Sequence, residues 1–317
     1  MTAPLTWYTA LTTWDMPVAT AVVLGLAAAC YAWAASRVRR WPLGASASFA
    51  AALVVAAFAL GGGVNAYSGV LFSMHMVQHL LLIMVVPAFL VLGRPLELLR
   101  RTLPERGRAV AGGIARSRVV SVLTNPVLAF VFYTGVVVGT HLTPFQQNAL
   151  LQPGLHVLEE LLYLASGYLL LLLVLGGEPL RRTLSHLMRV VVLLAGMVVD
   201  TIVGLTLMMT PSEPFPAYGR LGRAWGPSLI DDLHLGGAIM WVGGDVLMAA
   251  LAIVVITQWV NSPTSGNDLG PWLEAARRSA VGASEGTDDI DDDEDALDAY
   301  NAMLSRLANG ERGDPDR

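Results

Sequence analysis

Long apolar stretches, each about as long as a membrane-crossing helix, follow one another along most of the chain. A helix needs about 20 apolar residues to span the hydrocarbon core of a bilayer. Seven stretches have this length, at roughly 16–35, 45–64, 70–92, 119–140, 154–176, 187–209 and 233–257. The pattern predicts an all-α, polytopic membrane protein with seven transmembrane helices. Pro87 and Pro126 are expected to kink the third and fourth spans.

The polar connections between these stretches predict the orientation of the bundle. Arginines are concentrated in the connections that follow spans one, three and five, whereas residues 1–15, 65–69 and 141–153 contain none. Because cytoplasmic loops are enriched in basic residues, we expect the N-terminus outside and the C-terminus in the cytoplasm. The lack of basic residues within residues 1–15 also argues against a cleavable signal peptide.

Composition supports a chain embedded in lipid and separates a tail from it. Of the 317 residues, 54% are hydrophobic and 14% are charged, whereas soluble domains carry about 25% charged residues. Residues 1–260 contain 15 Arg and 11 acidic residues, and residues 261–317 contain 5 Arg and 14 acidic residues. We therefore predict a transmembrane domain over 1–260 and an acidic, largely disordered cytoplasmic tail over 261–317.

The end of the tail contains a pattern of its own. Leu297, Tyr300, Leu304 and Leu307 recur at helical spacing and predict a short amphipathic helix. This helix would dock on a cytoplasmic partner, but a solvated tail without a partner agrees equally well with the composition. A nucleic acid is not an expected partner for a membrane domain with an acidic tail.

Absent residue types exclude several classes of protein. Cys30 is the one cysteine, so the chain can form no internal disulfide and no cysteine-pair metal or redox motif. All 20 basic residues are arginine, and without lysine there is no amine for a retinal Schiff base.

Most of the histidines map to the outer part of the predicted bundle. His75 and His79 are four residues apart, so they lie on one face of span three, with Gln78 beside them. One histidine, His186, maps to the cytoplasmic side. The five on the outer side are His75, His79, His141, His156 and His234.

Four carboxylates fall within the same region of the predicted bundle. Glu159 and Glu160 lie in span five, Asp200 lies inside span six, and Asp245 lies in span seven. An ionisable group inside a bilayer costs at least ~2.5–3.5 kcal/mol, and such groups persist where they pair or line a cavity. We therefore expect a polar pocket that opens outward and is enclosed by spans three, five, six and seven.

The residue types in this pocket are typical of a transition-metal site. Imidazole with carboxylate and thioether suits copper or zinc, and the nearby methionines favour copper. His75 and His79 are the first candidates for ligands, although histidines at this spacing also occur as hydrogen-bonded pairs. Met74 and Met76 face away from these histidines on a regular helix, so we expect one of them at most to contribute.

Three segments of the chain form recognisable motifs. They are Met74-His-Met-Val-Gln-His79 continuing through Pro87 to Leu92-Gly-Arg-Pro-Leu96, then Leu155-His-Val-Leu-Glu159, and the stretch from Asp232 to Trp241. These segments are similar to the CtaG family of bacterial cytochrome c oxidase assembly factors, which are seven-span membrane proteins. The likeness covers residues from about 15 to 260 and excludes the tail. It implies a multi-pass protein of the bacterial plasma membrane that helps to mature the oxidase, with the oxidase subunits as partners.

The family's polar positions can be carried over one by one. They fall on His75, Gln78, His79, His156, Glu159 and Asp232. Glu160 stands where the family usually has a second histidine in span five, and Leu233 and His234 stand where it usually has glutamines. A ligand that has moved from span five to span seven, or a site without metal, would each explain these departures.

We therefore predict an accessory protein, not an enzyme, that binds or positions copper at the outer face and passes it to an oxidase subunit. The expected copper ligands are His75, His79, His156 and His234. Carboxylates near them are expected to orient the imidazole rings as hydrogen-bond acceptors. The remaining pocket residues are expected to be Gln78, Glu159, Glu160, Asp200, Asp232, Asp245, Met208 and Met209.

Three other functions agree with parts of the pattern. A copper transporter would use the same pocket, but apart from Cys30 and His186 the inner half contains no soft ligands. A haem-binding redox protein would use histidine pairs on facing helices. An intramembrane aspartyl protease would use Asp200 and Asp245, but Val242 replaces the first glycine of its G-x-G-D motif.

Overall fold

A computed structural model describes residues 3–178, 184–220 and 223–261, together with the single positions 298, 301 and 305. These residues form helices and no strands, which confirms the predicted all-α class. Six of the helices are long and apolar enough to cross a membrane, and a bent pair would provide a seventh span. The protein is therefore a multi-pass membrane protein, as the apolar pattern predicted. The side of the membrane on which each terminus lies stays a prediction.

The helices of the first half of the chain contain the first three predicted spans and the connection that follows the third. A π-helix at Leu81–Val85 joins α5 to α6 within that span. The helices are α1 (Trp7–Thr12), α2 (Val18–Arg37), α3 (Leu43–Gly61), α4 (Gly63–Ser68), α5 (Phe72–Leu80), α6 (Val86–Leu92), α7 (Pro95–Thr102) and α8 (Glu105–Ala115).

The second half contains the remaining predicted spans. A second π-helix, at Ile239–Gly243, joins the last two α-helices. The helices are α9 (Arg118–Leu123), α10 (Pro126–His141), α11 (Phe145–Leu151), α12 (Pro153–Leu175), α13 (His186–Met208), α14 (Ala217–Arg220), α15 (Leu229–Ala238) and α16 (Gly244–Val260).

The chain divides into two compact units. The first consists of Met1–Leu184 and Met188–Val255 and contains the polar cluster of the candidate site. The second consists of Ser185–Leu187 and Ile256–Arg317. The residues that predict an amphipathic helix, Leu297, Tyr300, Leu304 and Leu307, lie outside the described residues. The predicted boundary at 260 and the acidic tail therefore stay predictions.

Helix α12 lies at the centre of the first unit, packed against α6, α10 and the first π-helix. Its buried side is a stripe at helical spacing that is polar at the N-terminal end and apolar further on. In contrast, α2 leaves most of its apolar side chains exposed, as expected for a helix that faces lipid. The buried stripe of α12 includes Glu159, Tyr163, Ser166, Gly167 and Leu170.

A proline explains the π-helix beside α12. Pro87 has no N–H group and so cannot form the α-helical hydrogen bond to the carbonyl of Ile83. The helix widens over Leu81–Val85, and the Ile83 carbonyl lies directly against Gly167 of α12. A Cβ at Gly167 would lie 1.8 Å from the Ile83 oxygen, so this close approach requires glycine. The kink expected at Pro87 thus takes the form of a π-helical turn that lets two spans pack closely.

The fourth span differs from the continuous helix predicted over 119–140. The chain leaves the helix at Thr124, and α10 begins at Pro126, where the missing N–H is tolerated. The side chain of Asn125 accepts hydrogen bonds from the N–H groups of Val127 and Leu128. Pro126 therefore starts a helix and does not kink one. At its other end α10 is followed by α11 after a bend of 69°.

We predict that Gly167→Ala lowers stability because its methyl group would overlap the backbone of the π-helix. Overpacking of this kind is expected to reduce the free energy of unfolding by about 1–3 kcal/mol or more. Gly135→Ala on α10 is the matched control, because a Cβ there meets nothing within 4 Å. Thermal unfolding of both variants in detergent micelles tests this expectation, and equal midpoints for the two would contradict it.

Candidate metal centre

Two helices supply the central residues of a buried polar cluster. Helix α5 contributes His75, Gln78 and His79, all of which are buried. Helix α12 contributes Glu159, which is fully buried, and His156, one turn earlier and half-buried. The i,i+4 spacing on α5 places both imidazole rings on one face, with ring centroids 4.0 Å apart. The structure therefore brings together these five residues, as the sequence predicted.

The carboxylate of Glu159 lies among three imidazole rings without a hydrogen bond to any of them. Its oxygens are 3.4 Å from Nε2 of His75, 3.5 Å from Nδ1 of His156 and 3.7 Å from Nε2 of His79. Both oxygens of Glu159 lack a hydrogen-bond partner, and so do Nδ1 of His156 and Nε2 of His79. Buried polar atoms are nearly always paired, so a group of unpaired atoms around one carboxylate is unusual.

A second carboxylate lies at the more exposed side of the cluster. Oε1 of Glu160 accepts a hydrogen bond from the side-chain amide of Gln78 at 3.1 Å and lies 3.5 Å from Nε2 of His156. The same amide also donates to the carbonyl of Ala59 at 2.9 Å. Side chains of His156 and Glu160 are 25% and 18% exposed. The cluster therefore reaches the surface of the protein through this pair.

The spacing of the ligand atoms fits a small metal ion. His75, His156 and Glu159 each offer a ligand atom, and these atoms lie within 4.8 Å of one another, the one such group among the described residues. Bonds of about 2.0–2.1 Å in a tetrahedral site place neighbouring ligand atoms roughly 3.3 Å apart. The distances of 3.4 and 3.5 Å from Glu159 to the two histidines agree with that value.

Two residues of the cluster are missing from the predicted site. Nε2 of Gln146 lies 2.7 Å from Nε2 of His75, and Nε2 of His141 lies 3.4 Å from Nδ1 of His79. Both side chains are buried. The sequence predicted that His141 lies on the outer side, but the predicted ligands did not include it. Nothing in the sequence singles out Gln146.

Asp232 is close to the cluster but holds the helix and not an imidazole. Its carboxylate accepts hydrogen bonds from the N–H of Phe72 at 2.8 Å and from the hydroxyl of Ser73 at 2.5 Å. Arg223 lies 3.5 Å from the same carboxylate. Phe72 and Ser73 belong to the first turn of α5. Asp232 therefore fixes the end of the helix that carries His75 and His79.

The structure places the other predicted site residues outside the group of ligand atoms at His75, His156 and Glu159, although Asp200 lines the cavity beside His79 and His141. Nε2 of His234 donates to the carbonyl of Thr210 at 3.0 Å. Asp200 accepts from the hydroxyl of Tyr133 at 3.0 Å, and Asp245 accepts from a threonine hydroxyl on α13 at 3.2 Å. Among the residues described, no hydrogen bond or ion pair joins the cluster to His234, Asp245, Met208 or Met209.

The walls of the site therefore differ from the predicted enclosure. Spans three and five contribute as expected, and Asp200 of span six and Met240 of span seven line the cavity beside His79 and His141. Helices α10 and α11, which the prediction left out, add His141 and Gln146. The bend between α10 and α11 explains the difference, because it brings His141 and Gln146 to α5 from two directions. Whether the cluster holds metal stays a prediction at this point.

Known proteins provide an independent comparison. The family described as cytochrome c oxidase caa3 assembly factor matches residues 29–262. Uncharacterized proteins of Mycobacterium bovis and Mycobacterium tuberculosis are each 30% identical over 299 residues, which is 92% of this chain and 43% of theirs. A similar protein of Mycobacterium leprae is 30% identical over 302 residues, with the same coverage. The chain thus spans less than half the length of these relatives. No solved structure matches the chain significantly.

We predict that Asp232→Ala destabilises the protein, because it leaves Arg223 and the first N–H groups of α5 without their buried acceptor. Removal of one partner of a buried ion pair is expected to reduce the free energy of unfolding by about 3 kcal/mol or more. Asp231→Ala is the matched control, since this exposed neighbour bonds only within its own helix cap at Ser228. Similar unfolding midpoints for the two variants in detergent would be evidence against the anchoring role.

Proposed function

The chain belongs to the family of cytochrome c oxidase caa3 assembly factors, and we propose that it carries out this role by holding copper for insertion into an oxidase subunit. The observation that carries the proposal is the convergence of ligand atoms of His75, His156 and Glu159 within 4.8 Å of one another. Nδ1 of His156 and both oxygens of Glu159 have no hydrogen-bond partner there. Copper is the cargo of this site and not a resident cofactor. The protein acts as an accessory factor and needs no catalytic residues of its own.

The burial of the Glu159 carboxylate without a hydrogen bond supports a cation at the site. A buried carboxylate is tolerated when it is paired with charge or accepts hydrogen bonds. Glu159 accepts no hydrogen bond in the structure, and the nearest nitrogen atoms lie at 3.4 and 3.5 Å. A metal ion between these atoms would bind the carboxylate and both imidazoles at once, and would give the Glu159 oxygens the direct partner that they lack.

The types of ligand support a first-row transition metal over magnesium or calcium. Two imidazoles and one carboxylate occur in zinc and iron(II) sites, whereas magnesium and calcium prefer ligand sets made of oxygen. Three protein ligands leave a coordination position open, which is typical of sites that exchange a ligand. An open position suits a protein that passes its ion to a partner. The oxidase is the expected acceptor because the family assembles that enzyme.

The exposed side of the cluster supports loading from one face of the membrane. His156 and Glu160 are the partly exposed members, and both lie near the N-terminal end of α12. The distribution of arginines in the connections predicts that this end lies on the outer side. The proposed direction is therefore capture and transfer at the outer face, with the lipid bilayer around the apolar helices.

The rival functions have weaker support. A haem with axial ligands His79 and His141 would need space for a porphyrin, but these rings border a cavity of only about 20 Å³. The carboxylates of Asp200 and Asp245 accept from different hydroxyl groups, and among the described residues no hydrogen bond joins one to the other. The geometry thus favours neither an axial haem site nor an aspartyl dyad.

Metal binding by conservative variants tests the proposal. We expect His156→Gln and Glu159→Gln to weaken the binding of Cu(II) and Zn(II) at least tenfold, which corresponds to about 1.4 kcal/mol or more. His234→Gln is the matched control, because His234 is a histidine near the same end of the bundle that donates to a backbone carbonyl. Affinity is measured by competition with a chelator, after unfolding curves have shown that each variant is folded. Affinities within twofold of the wild type for both cluster variants would refute the ligand assignment.

Complementation in cells tests the biological role of the same residues. Deletion of the gene is expected to lower cytochrome c oxidase activity at least tenfold while the oxidase subunits are still made. The wild-type gene and His234→Gln should restore activity, and Glu159→Gln should not. Oxidase activity, subunit abundance and the copper content of the purified oxidase are the readouts. Normal oxidase in the deletion strain would exclude an assembly role, and full rescue by Glu159→Gln would exclude the copper site from it.

A further inference from the structure

A second set of ligand atoms lies beside the first, on the other side of the His79 ring. Nε2 of His141 is 3.2 Å from Sδ of Met76 and 3.4 Å from Nδ1 of His79. All three side chains are buried. Met76 and His79 are three residues apart on α5, and His141 is the last residue of α10. Two imidazole nitrogens and a thioether sulfur therefore converge where two helices meet.

The hydrogen bonds of His141 show which of its nitrogens is free to bind a metal. Nδ1 lies 2.8 Å from the carbonyl oxygen of Val137. Since a carbonyl oxygen can only accept, Nδ1 carries the proton and donates it. In a neutral imidazole, Nε2 then has a free electron pair, and this pair faces Met76 and His79. A thioether sulfur has no proton to donate either, so the contact between His141 and Met76 joins two electron-pair donors.

His79 cannot satisfy both of its neighbours with one proton. If Nδ1 carries the proton, it can donate to His141, but the electron pair of Nε2 then faces an oxygen of Glu159 at 3.7 Å. If Nε2 carries the proton, it faces Glu159, and the electron pair of Nδ1 then meets that of His141 at 3.4 Å. In either tautomer, one contact places two electron pairs against each other. A cation between Nδ1 of His79, Nε2 of His141 and Sδ of Met76 would resolve the conflict. The proton of His79 could then remain on Nε2 and face Glu159.

The surroundings of these three atoms favour a small, soft ion. A cavity of about 20 Å³ lies beside them, which is large enough for roughly one water molecule or ion. The ring of Tyr163 stacks on His79 with centroids 3.9 Å apart, and its hydroxyl lies 3.1 Å from Nδ1 of His141. These contacts hold both imidazoles in place. Thioether sulfur is a soft ligand of the kind that Cu(I) prefers. The cavity is lined mainly by apolar side chains, together with Tyr133 and Asp200.

We propose that Met76, His79 and His141 form a second site, which takes copper as Cu(I) from the site at His75, His156 and Glu159. This inference deepens the proposed function and rests on it for the source of the ion. His79 lies between the two sites, with Nε2 toward Glu159 and Nδ1 toward His141. An ion can therefore pass across one imidazole ring, from a partly exposed histidine–carboxylate site to a buried histidine–thioether site. Copper that arrives as Cu(I) needs no change of oxidation state in this transfer.

Two probe ions separate the sites. Zn(II) reports on the histidine–carboxylate site, and Ag(I), a soft and redox-inert monovalent ion, reports on the histidine–thioether site. We expect Met76→Leu, which conserves volume, to weaken Ag(I) binding at least tenfold and to change Zn(II) affinity less than twofold. Glu159→Gln should have the opposite effect. Met84→Leu is the matched control, because Met84 is a buried methionine of the same span outside both sites.

The outcomes distinguish the two proposals. If Met76→Leu binds Ag(I) as tightly as the wild type does, the second site is overturned. The same result is expected if a second proton on His79, and not an ion, lies between His79 and its neighbours. If the wild-type protein does not bind Zn(II), the proposed function is overturned instead. Selenomethionine-labelled wild type provides a test that does not depend on how a variant folds. Cu(I) at this site should show a selenium neighbour in its X-ray absorption spectrum, and its absence would also overturn the inference.

Discussion

The burial of Glu159 without a hydrogen bond is the constraint on which the rest of the site depends. Desolvation of a carboxylate is costly unless opposite charge or donors replace the lost water. Three imidazole rings surround this group, with nitrogen–oxygen distances of 3.4, 3.5 and 3.7 Å that are long for hydrogen bonds. The polar cluster is therefore incomplete as a hydrogen-bond network. This incompleteness is the basis of the proposed role in handling metal.

The helices around the cluster are fixed by backbone features rather than by the ligands themselves. Pro87 opens a π-helical turn that lets Gly167 of α12 lie against the Ile83 carbonyl, so α5 and α12 come close. Asp232 holds the first turn of α5 from a different span. These contacts lie on either side of the histidines along the span. The cluster is thus held in place by the fold itself, which would reduce the reorganisation that binding of the proposed ion requires.

Much of the site could be predicted because helical spacing alone decides which side chains share a face. That is true of His75 with His79 and of His156 with Glu159, and the apolar stretches likewise predicted the spans. What the sequence could not provide is the way one span is rotated against another. His234 has a suitable residue type and depth, yet its helix presents it to a backbone carbonyl. His141 was left out of the predicted ligands although the fold brings it to the cluster. Its position depends on the break before Pro126 and on the bend after α10, which the sequence pattern did not predict.

An anomalous difference map from crystals soaked in copper, recorded at the copper absorption edge, tests the central claim most directly. The account predicts a peak about 2.0–2.2 Å from an imidazole nitrogen of His75, one of His156 and a carboxylate oxygen of Glu159. A map without density between these residues, or with copper only at other positions on the protein, would contradict it.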